Sequence, residues 1–150
     1  MTKKGTISSF MLEEHGKILT LLNEFKKNAN SKNADDYFKK LKWKQENHVL
    51  AEEKAILILT QDGKELKSII LEILKQHNEL HDIMKKIQDK LDRSTDHYEE
   101  NLKALLELMK IHINLENKKF YPLLDRDLDD KTKKLIMSKF REVIMGNISI

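Results

Sequence analysis

The chain has no cysteine, one proline, four glycines and one tryptophan, and each scarcity removes a class of protein. Without cysteine no disulfide framework can form, so rigidity has to come from packing or from a bound ligand. No stretch approaches the roughly 18 consecutive apolar residues of a membrane span; the densest apolar patch is Ala55–Leu59. The opening MTKKGTISSF carries lysines but no apolar segment, which argues against a secretory signal and predicts a cytoplasmic protein with no membrane partner. Few turn formers beside abundant Leu, Ile, Lys and Glu predict long helices joined by few turns. A length of 150 residues fits a single domain spanning 1–150 with a substantial core.

Charge of one sign is also lacking. Lys and Arg number 28 against 25 Asp and Glu, a net charge of +3. Nearly all the cations are lysine, interspersed with acids along the whole chain, whereas nucleic-acid readers concentrate arginine and aromatics on one face. The pattern is that of a solvated helical surface, with no nucleic-acid partner.

What is present is helical periodicity with clear punctuation. The polar break Asn28–Asn33 is followed by Asp35 and Asp36, acids suited to a helix start. Gln61-Asp62-Gly63 reads as a turn with a helix-ending glycine, and Asp96 with Glu99 has the spacing of a capping pair. Pro122 is expected to close the fourth segment. These marks predict long helices near 7–28, 34–60, 64–92 and 96–120, and a shorter one near 130–145. Each long segment carries a seam with alternating spacings of four and three residues, as in Met11, His15, Ile18, Leu22, Phe25. Short connections and such seams describe an all-α, antiparallel up-down-up-down four-helix bundle over about 7–120, with a short fifth C-terminal helix.

Five of the six histidines, with Glu52 and Glu116, lie on or beside these seams. Antiparallel geometry gives their depth. His15 and His48 lie 16 and 17 residues from a turn centred on residue 31; the midpoint of His77 and His81 and His112 lie 16 and 17 from one centred on residue 95. At about 1.5 Å per residue all four helices present histidine at one level, roughly 25 Å along the bundle. A layer of about 20 positions would hold about 0.8 of a histidine by chance; this one holds five.

His48/Glu52, His77/His81 and His112/Glu116 are all i,i+4 pairs, so both members of each share one helical face and can reach one centre. Buried carboxylates and clustered imidazoles without a cation would be costly in lost solvation. A metal site is the reading that offsets this cost. Five imidazole nitrogens and two bridging carboxylates supply about nine bonds; an oxo or hydroxo bridge adds two, leaving one of the twelve positions of two octahedral ions open to a small ligand. Histidine and carboxylate without thiolate suit iron, with manganese or zinc as lesser candidates.

These residues resemble the hemerythrin-like (HHE cation-binding) family, in its bacterial or archaeal single-domain form, over about residues 7–124. The resemblance rests on His15, on HVLAEE from His48, on HNELH from His77 and on HINLENKKFYPLL from His112. It implies a non-haem di-iron four-helix bundle with an oxo- or hydroxo-bridged iron pair. His77, His81 and His112 would hold one iron, and His15 and His48 the second. Glu52 and Glu116 would bridge, with the open position on the second iron. Oxygen-carrying members place an aspartate five residues after the fourth-helix histidine, whereas Glu116 follows His112 by four, a form shared with relatives linked to nitric oxide and iron–sulfur repair. Repair-type relatives carry a cysteine-bearing N-terminal domain, and this chain has no cysteine.

The functional expectation is therefore a di-iron protein that binds O2 or NO for carriage, storage or sensing. The alternative is a di-iron enzyme acting on peroxide or NO, or in iron–sulfur repair. No general base stands outside the ligand set in the sequence reading, which favours binding over catalysis. Leu19, Leu108 and Met109, one turn from the first and fourth histidines, are the expected walls of a gas pocket. Gly16 is expected at a close helix approach, and Trp43 and Tyr98 at the bundle end. His97 is expected in solvent. The last helix is expected to dock through Leu135, Ile136, Phe140, Val143 and Ile144.

Overall fold

The computed structural model describes residues 5–59, 63–94 and 97–146. Its elements are α1 (Ile7–Lys27), α2 (Ala34–Ile58), α3 (Lys64–Asp92), α4 (Glu99–Leu115), a π turn (Glu116–Phe120), α5 (Tyr121–Asp127) and α6 (Asp130–Ile144). No strand occurs among the described residues. The fold is the all-α bundle with a short C-terminal helix that the seams predict. α1, α2 and α3 pack in chain order. α3 packs on α4, and the ring closes mainly where α1 meets α5. No helix among the described residues is long and apolar enough to cross a membrane.

Local chemistry accounts for the element ends. Thr6 caps α1 by accepting a hydrogen bond from the Ser9 N–H at 3.1 Å. The Asp125 carboxylate, from α5, accepts from the Ile7 and Ser8 N–H groups at 2.9 and 3.0 Å. Three otherwise orphaned donors of the first turn are thus satisfied, and the start of α1 is tied to the end of the fourth rod. Asp35 and Asp36 occupy the first turn of α2, where the helix dipole favours negative charge. Asp129 caps α6 through the Thr132 N–H at 2.7 Å.

Several expected boundaries shift. Gly63 starts α3 as its N-cap, with φ −44°, and does not end α2; α2 closes at Leu59, and residues 61 and 62 lie outside the described residues. Asp96 also lies outside them, and α4 begins after Tyr98 with no side-chain cap bond. Pro122 does not stop the fourth rod. The backbone stays helical through the π turn to Asp127, because Pro122 falls in the first turn of α5, where its missing N–H and fixed φ are tolerated.

Two apolar clusters fill the bundle. One gathers Ile18, Leu22, Phe25, Phe38, Leu41, Leu80, Met84, Ile87, Tyr98 and Leu105 toward the end holding the 28–33 turn. There Tyr98 stacks on Phe25, and its hydroxyl accepts from the Asn30 N–H at 2.9 Å. The other gathers Ile7, Met11, Ala51, Ala55, Ile73, Phe120 and Leu124 with the inner face of α6. α6 docks chiefly on α2 through Ile136, Met137, Phe140, Val143 and Ile144; Leu135 faces outward, one position off that stripe. Trp43 does not join the core and is 48 % exposed, because the inward positions around it are taken by Leu41 and Gln45. Gly16 makes no close helix approach, since a Cβ there would meet nothing within 4 Å. His97 is exposed, as expected.

Candidate metal centre

Between the two apolar clusters lies a layer of buried polar side chains. His15 from α1, His48 from α2, His77 from α3 and His112 from α4 are all buried, and Glu52 and Glu116 are completely so. Each histidine occupies an inward position of its seam, and the antiparallel run of the helices brings the four to one level.

Three of the imidazoles are oriented from behind. The Nδ1 of His15 stands 2.7 Å from Asn117 Oδ1, that of His77 2.9 Å from Glu53 Oε2, and that of His112 2.8 Å from Gln76 Oε1. Each partner is an oxygen, so Nδ1 carries the proton and donates, leaving the Nε2 lone pair directed into the layer. Outer oxygens hold metal-binding imidazoles in the required tautomer in the same way.

The carboxylates meet those Nε2 atoms. Glu116 turns one oxygen each way: Oε1 lies 3.0 Å from His15 Nε2, and Oε2 lies 3.2 Å from His112 Nε2. Glu52 Oε1 stands 3.2 Å from His77 Nε2 and 3.5 Å from His48 Nε2. Two donor sets result, Glu52, His77, His112 and Glu116 in one and His15, His48 and Glu116 in the other, the atoms of each lying within 4.8 Å of one another. Glu116 belongs to both.

A cation fits this arrangement because the layer is incomplete without positive charge. His112 Nε2 and Glu116 Oε2 are buried, face each other and have no hydrogen-bond partner. With the imidazole proton on Nδ1 they present two lone pairs to one space, which a cation satisfies. The charge balance points the same way. Burial pushes the His48 imidazole down, but Glu52 and Glu116 outweigh it and raise its pKa to about 10. His77 is also raised, burial opposing and Glu52 with Glu116 prevailing. Burial works to raise Glu116, yet His112 and its other partners hold it well below the usual carboxylate range. Protons supply the positive charge when metal does not.

His81 is not brought into this layer. It is exposed, one turn beyond His77. Four residues along a helix rotate a side chain by about 40° and carry it about 6 Å along the axis. Leu80 takes the inward position at that level, and His81 turns into a groove of ≈ 530 Å³ between α2 and α3. His77, Glu53 and Gln45 line the same groove, and Gln45 Nε2 is buried in its wall without a hydrogen-bond partner. The expected gas-pocket walls lie elsewhere. Leu19 is 39 % exposed on the outer face of α1, while Met109 and the half-buried Leu108 belong to the apolar cluster. None of the three lines the groove.

Tyr121 is in the layer although its sequence position does not suggest it. In a regular α-helix a residue five places after Glu116 would point about 140° away from it. Here the Tyr121 N–H bonds to the Glu116 carbonyl, and this i→i+5 bond of the π turn restores the alignment. The fully buried Tyr121 hydroxyl donates to Glu52 Oε2 at 2.5 Å and lies 3.1 Å from Glu116 Oε1. It is 3.3 Å from both His15 Nε2 and His48 Nε2. Burial, with Glu116 and Glu52 alongside, holds its pKa well above the ordinary phenol value. Asn117, Gln76 and Glu53 likewise become site residues only once the fold is known. Next to the layer, buried Glu14 on α1 pairs with Lys44 on α2 at 2.5 Å and with Lys17 at 2.8 Å, bracing the helices that carry His15 and His48.

The family model described as hemerythrin HHE cation binding domain matches residues 6–124 of the chain, from the cap of α1 to the middle of α5. Comparison with curated proteins and with solved structures gives no match.

Proposed function

The chain belongs to the hemerythrin HHE cation-binding family, and from that premise we propose that it is a non-haem di-iron protein binding O2 or NO for carriage, storage or sensing. The observation that carries this reading is Glu116, whose two oxygens face separate sets of imidazole nitrogens. One ion would sit with His77, His112, Glu52 and Glu116, and the other with His15, His48 and Glu116. Imidazole and carboxylate donors without thiolate favour iron. Iron bound there would supply reversible redox change and a coordination position for a diatomic molecule.

The chain's own residues set the conditions for such a ligand. The apolar clusters on both sides exclude bulk water from the layer. The groove between α2 and α3 has His77 in its lining and the unpartnered Gln45 amide in its wall, and is the approach from solvent that this reading assigns to the ligand. Asn117, Glu53 and Gln76 hold three imidazoles against rotation. One observation favours the enzymatic alternative, action on peroxide or NO: Tyr121 places a proton-bearing hydroxyl in contact with the donor atoms, where a reacting molecule would need one.

The test is metal analysis of the purified protein, with visible spectra before and after anaerobic reduction and after addition of O2 or NO. Two irons per chain with ligand-sensitive bands are expected. Absence of bound metal, or iron whose spectrum responds to neither gas, overturns the proposal. Turnover of added peroxide or NO would transfer the reading to the enzyme.

A further inference from the structure

We infer that the Tyr121 phenol oxygen is the fourth protein donor to the metal ion held by His15, His48 and Glu116. This rests on the reading of the layer as a metal centre and adds a ligand type that the histidine and carboxylate pattern does not contain.

Four atoms carry it. His15 Nε2 lies 3.1 Å from His48 Nε2 and 3.0 Å from Glu116 Oε1, and His48 Nε2 lies 3.8 Å from Glu116 Oε1. The Tyr121 oxygen is 3.3, 3.3 and 3.1 Å from these three atoms in turn. The six separations run from 3.0 to 3.8 Å, close to the edges of a regular tetrahedron. Donors about 2.0–2.1 Å from a tetrahedral ion stand about 3.3 Å from one another. The four atoms therefore enclose a point at bonding distance from each, and the phenol oxygen occupies the corner that would otherwise be open.

Glu52 supports this assignment by where its two oxygens go. Oε1 faces His77, while Oε2 accepts the Tyr121 hydroxyl proton at 2.5 Å. Glu52 Oε1 is thus nearest the His77/His112 side, 3.2 Å from His77 Nε2 and 3.5 Å from His48 Nε2, while its Oε2 is engaged by Tyr121. Each ion then has four protein donors, with Glu116 alone shared. When the phenol oxygen binds the ion as phenolate, one proton leaves it, and Glu52 Oε2 is the adjacent acceptor.

Ferric phenolate centres have a visible charge-transfer band and resonance-enhanced tyrosinate ring vibrations, so the full chain loaded with iron and oxidised provides the test. Wild-type protein should show both signals, and Tyr121→Phe should lose both. A Tyr37→Phe control, altering a tyrosine on α2 outside the layer, should keep both. Melting and helicity of Tyr121→Phe are measured alongside. If that variant fails to fold, ring-deuterated tyrosine in the wild-type chain should shift the enhanced vibrations. Wild-type protein that binds iron without tyrosinate vibrations overturns this inference and leaves the metal centre standing. Protein that binds no metal overturns both.

Discussion

His77 and His81 are one turn apart on α3, yet only His77 is buried within the donor layer. His81→Ala should keep its full metal complement, with affinity within about twofold of wild type, because the side chain it removes lies in the solvent-facing groove. His77→Ala should lose bound metal, or bind it at least about 10–100-fold more weakly. Metal content after dialysis against a graded chelator separates these outcomes, and equal losses in both variants would place His81 among the ligands. Asn117→Ala removes the oxygen that fixes the His15 Nδ1 proton and should weaken metal binding about 10–100-fold without abolishing the fold. Isothermal titration of the metal-free variant measures this. The i,i+4 spacing identifies both α3 histidines as able to reach one side of the helix, and that pair spacing alone draws both into the expected ligand set. The seam through Ile73, His77, Leu80 and Met84 puts His77 on the line and His81 just beside it, and packing against α2 and α4 leaves only His77 buried. Tyr121 was hidden for a related reason. A period of 3.6 residues places it away from Glu116, and only the wider turn brings it back.

The fourth rod shows what one added residue does to an element. α4 and α5 are joined by five residues with i→i+5 bonding, a geometry equivalent to an insertion into an α-helix. Lys118 and Lys119 are exposed on that turn, so deleting one of them should convert it to a regular α turn with no buried group lost. The tyrosine would then follow Glu116 by four residues and stay on its face, and Leu123, Leu124 and Asp125 would keep their orientations. The Lys119 deletion is expected to melt within a few degrees of the parent and to retain metal. Insertion of an alanine between Leu105 and Leu106, inside regular α4, should rotate His112 and Glu116 by about 100° and abolish metal binding. Circular-dichroism melting with metal analysis of both variants tests the account. Asp125→Ala should cost about 1–2 kcal/mol, read as a lower denaturation midpoint, because it strips the acceptor from two N–H groups at the start of α1. Most helix positions were legible from periodicity and punctuation, with α1, α2, α3 and α6 beginning or ending within a few residues of expectation. The fourth was not, because Pro122 reads as a stop and only the preceding π turn makes it the start of a further helical stretch.

At the scale of the whole molecule, the bundle is two apolar clusters held apart by a charged layer, and this makes its stability depend on which cations occupy that layer. In the metal-free protein the positive charge is protonic. His48, with a pKa raised to about 10, carries a proton at neutral pH, and His77 is raised in the same direction. A histidine whose pKa is higher in the folded than in the unfolded chain stabilises the fold fully below its unfolded value, about 6.5, and loses that contribution as pH rises through the folded value. Metal-free protein should therefore weaken between about pH 6.5 and pH 10. Glu116, held low in the folded chain, acts with the opposite sign: its contribution is present above about pH 4.5 and is lost as pH falls through its folded value. Metal changes the alkaline limb, because the ion replaces the proton on His48 and needs a neutral imidazole. Each proton displaced should raise apparent metal affinity about tenfold per pH unit until the folded pKa is reached. A ligand present at about 1,000 times its dissociation constant adds about 4 kcal/mol, or roughly 8–16 °C in melting temperature for a chain of this size. The separation between loaded and metal-free melting curves should thus widen as pH rises from about 6.5 toward 10, with the metal-free curve doing most of the moving. Parallel thermal melts with and without metal across that range are the measurement. A separation that stays constant or narrows with pH would mean that protons and metal do not compete for the same imidazoles, and that the buried layer is not the place where the cation binds.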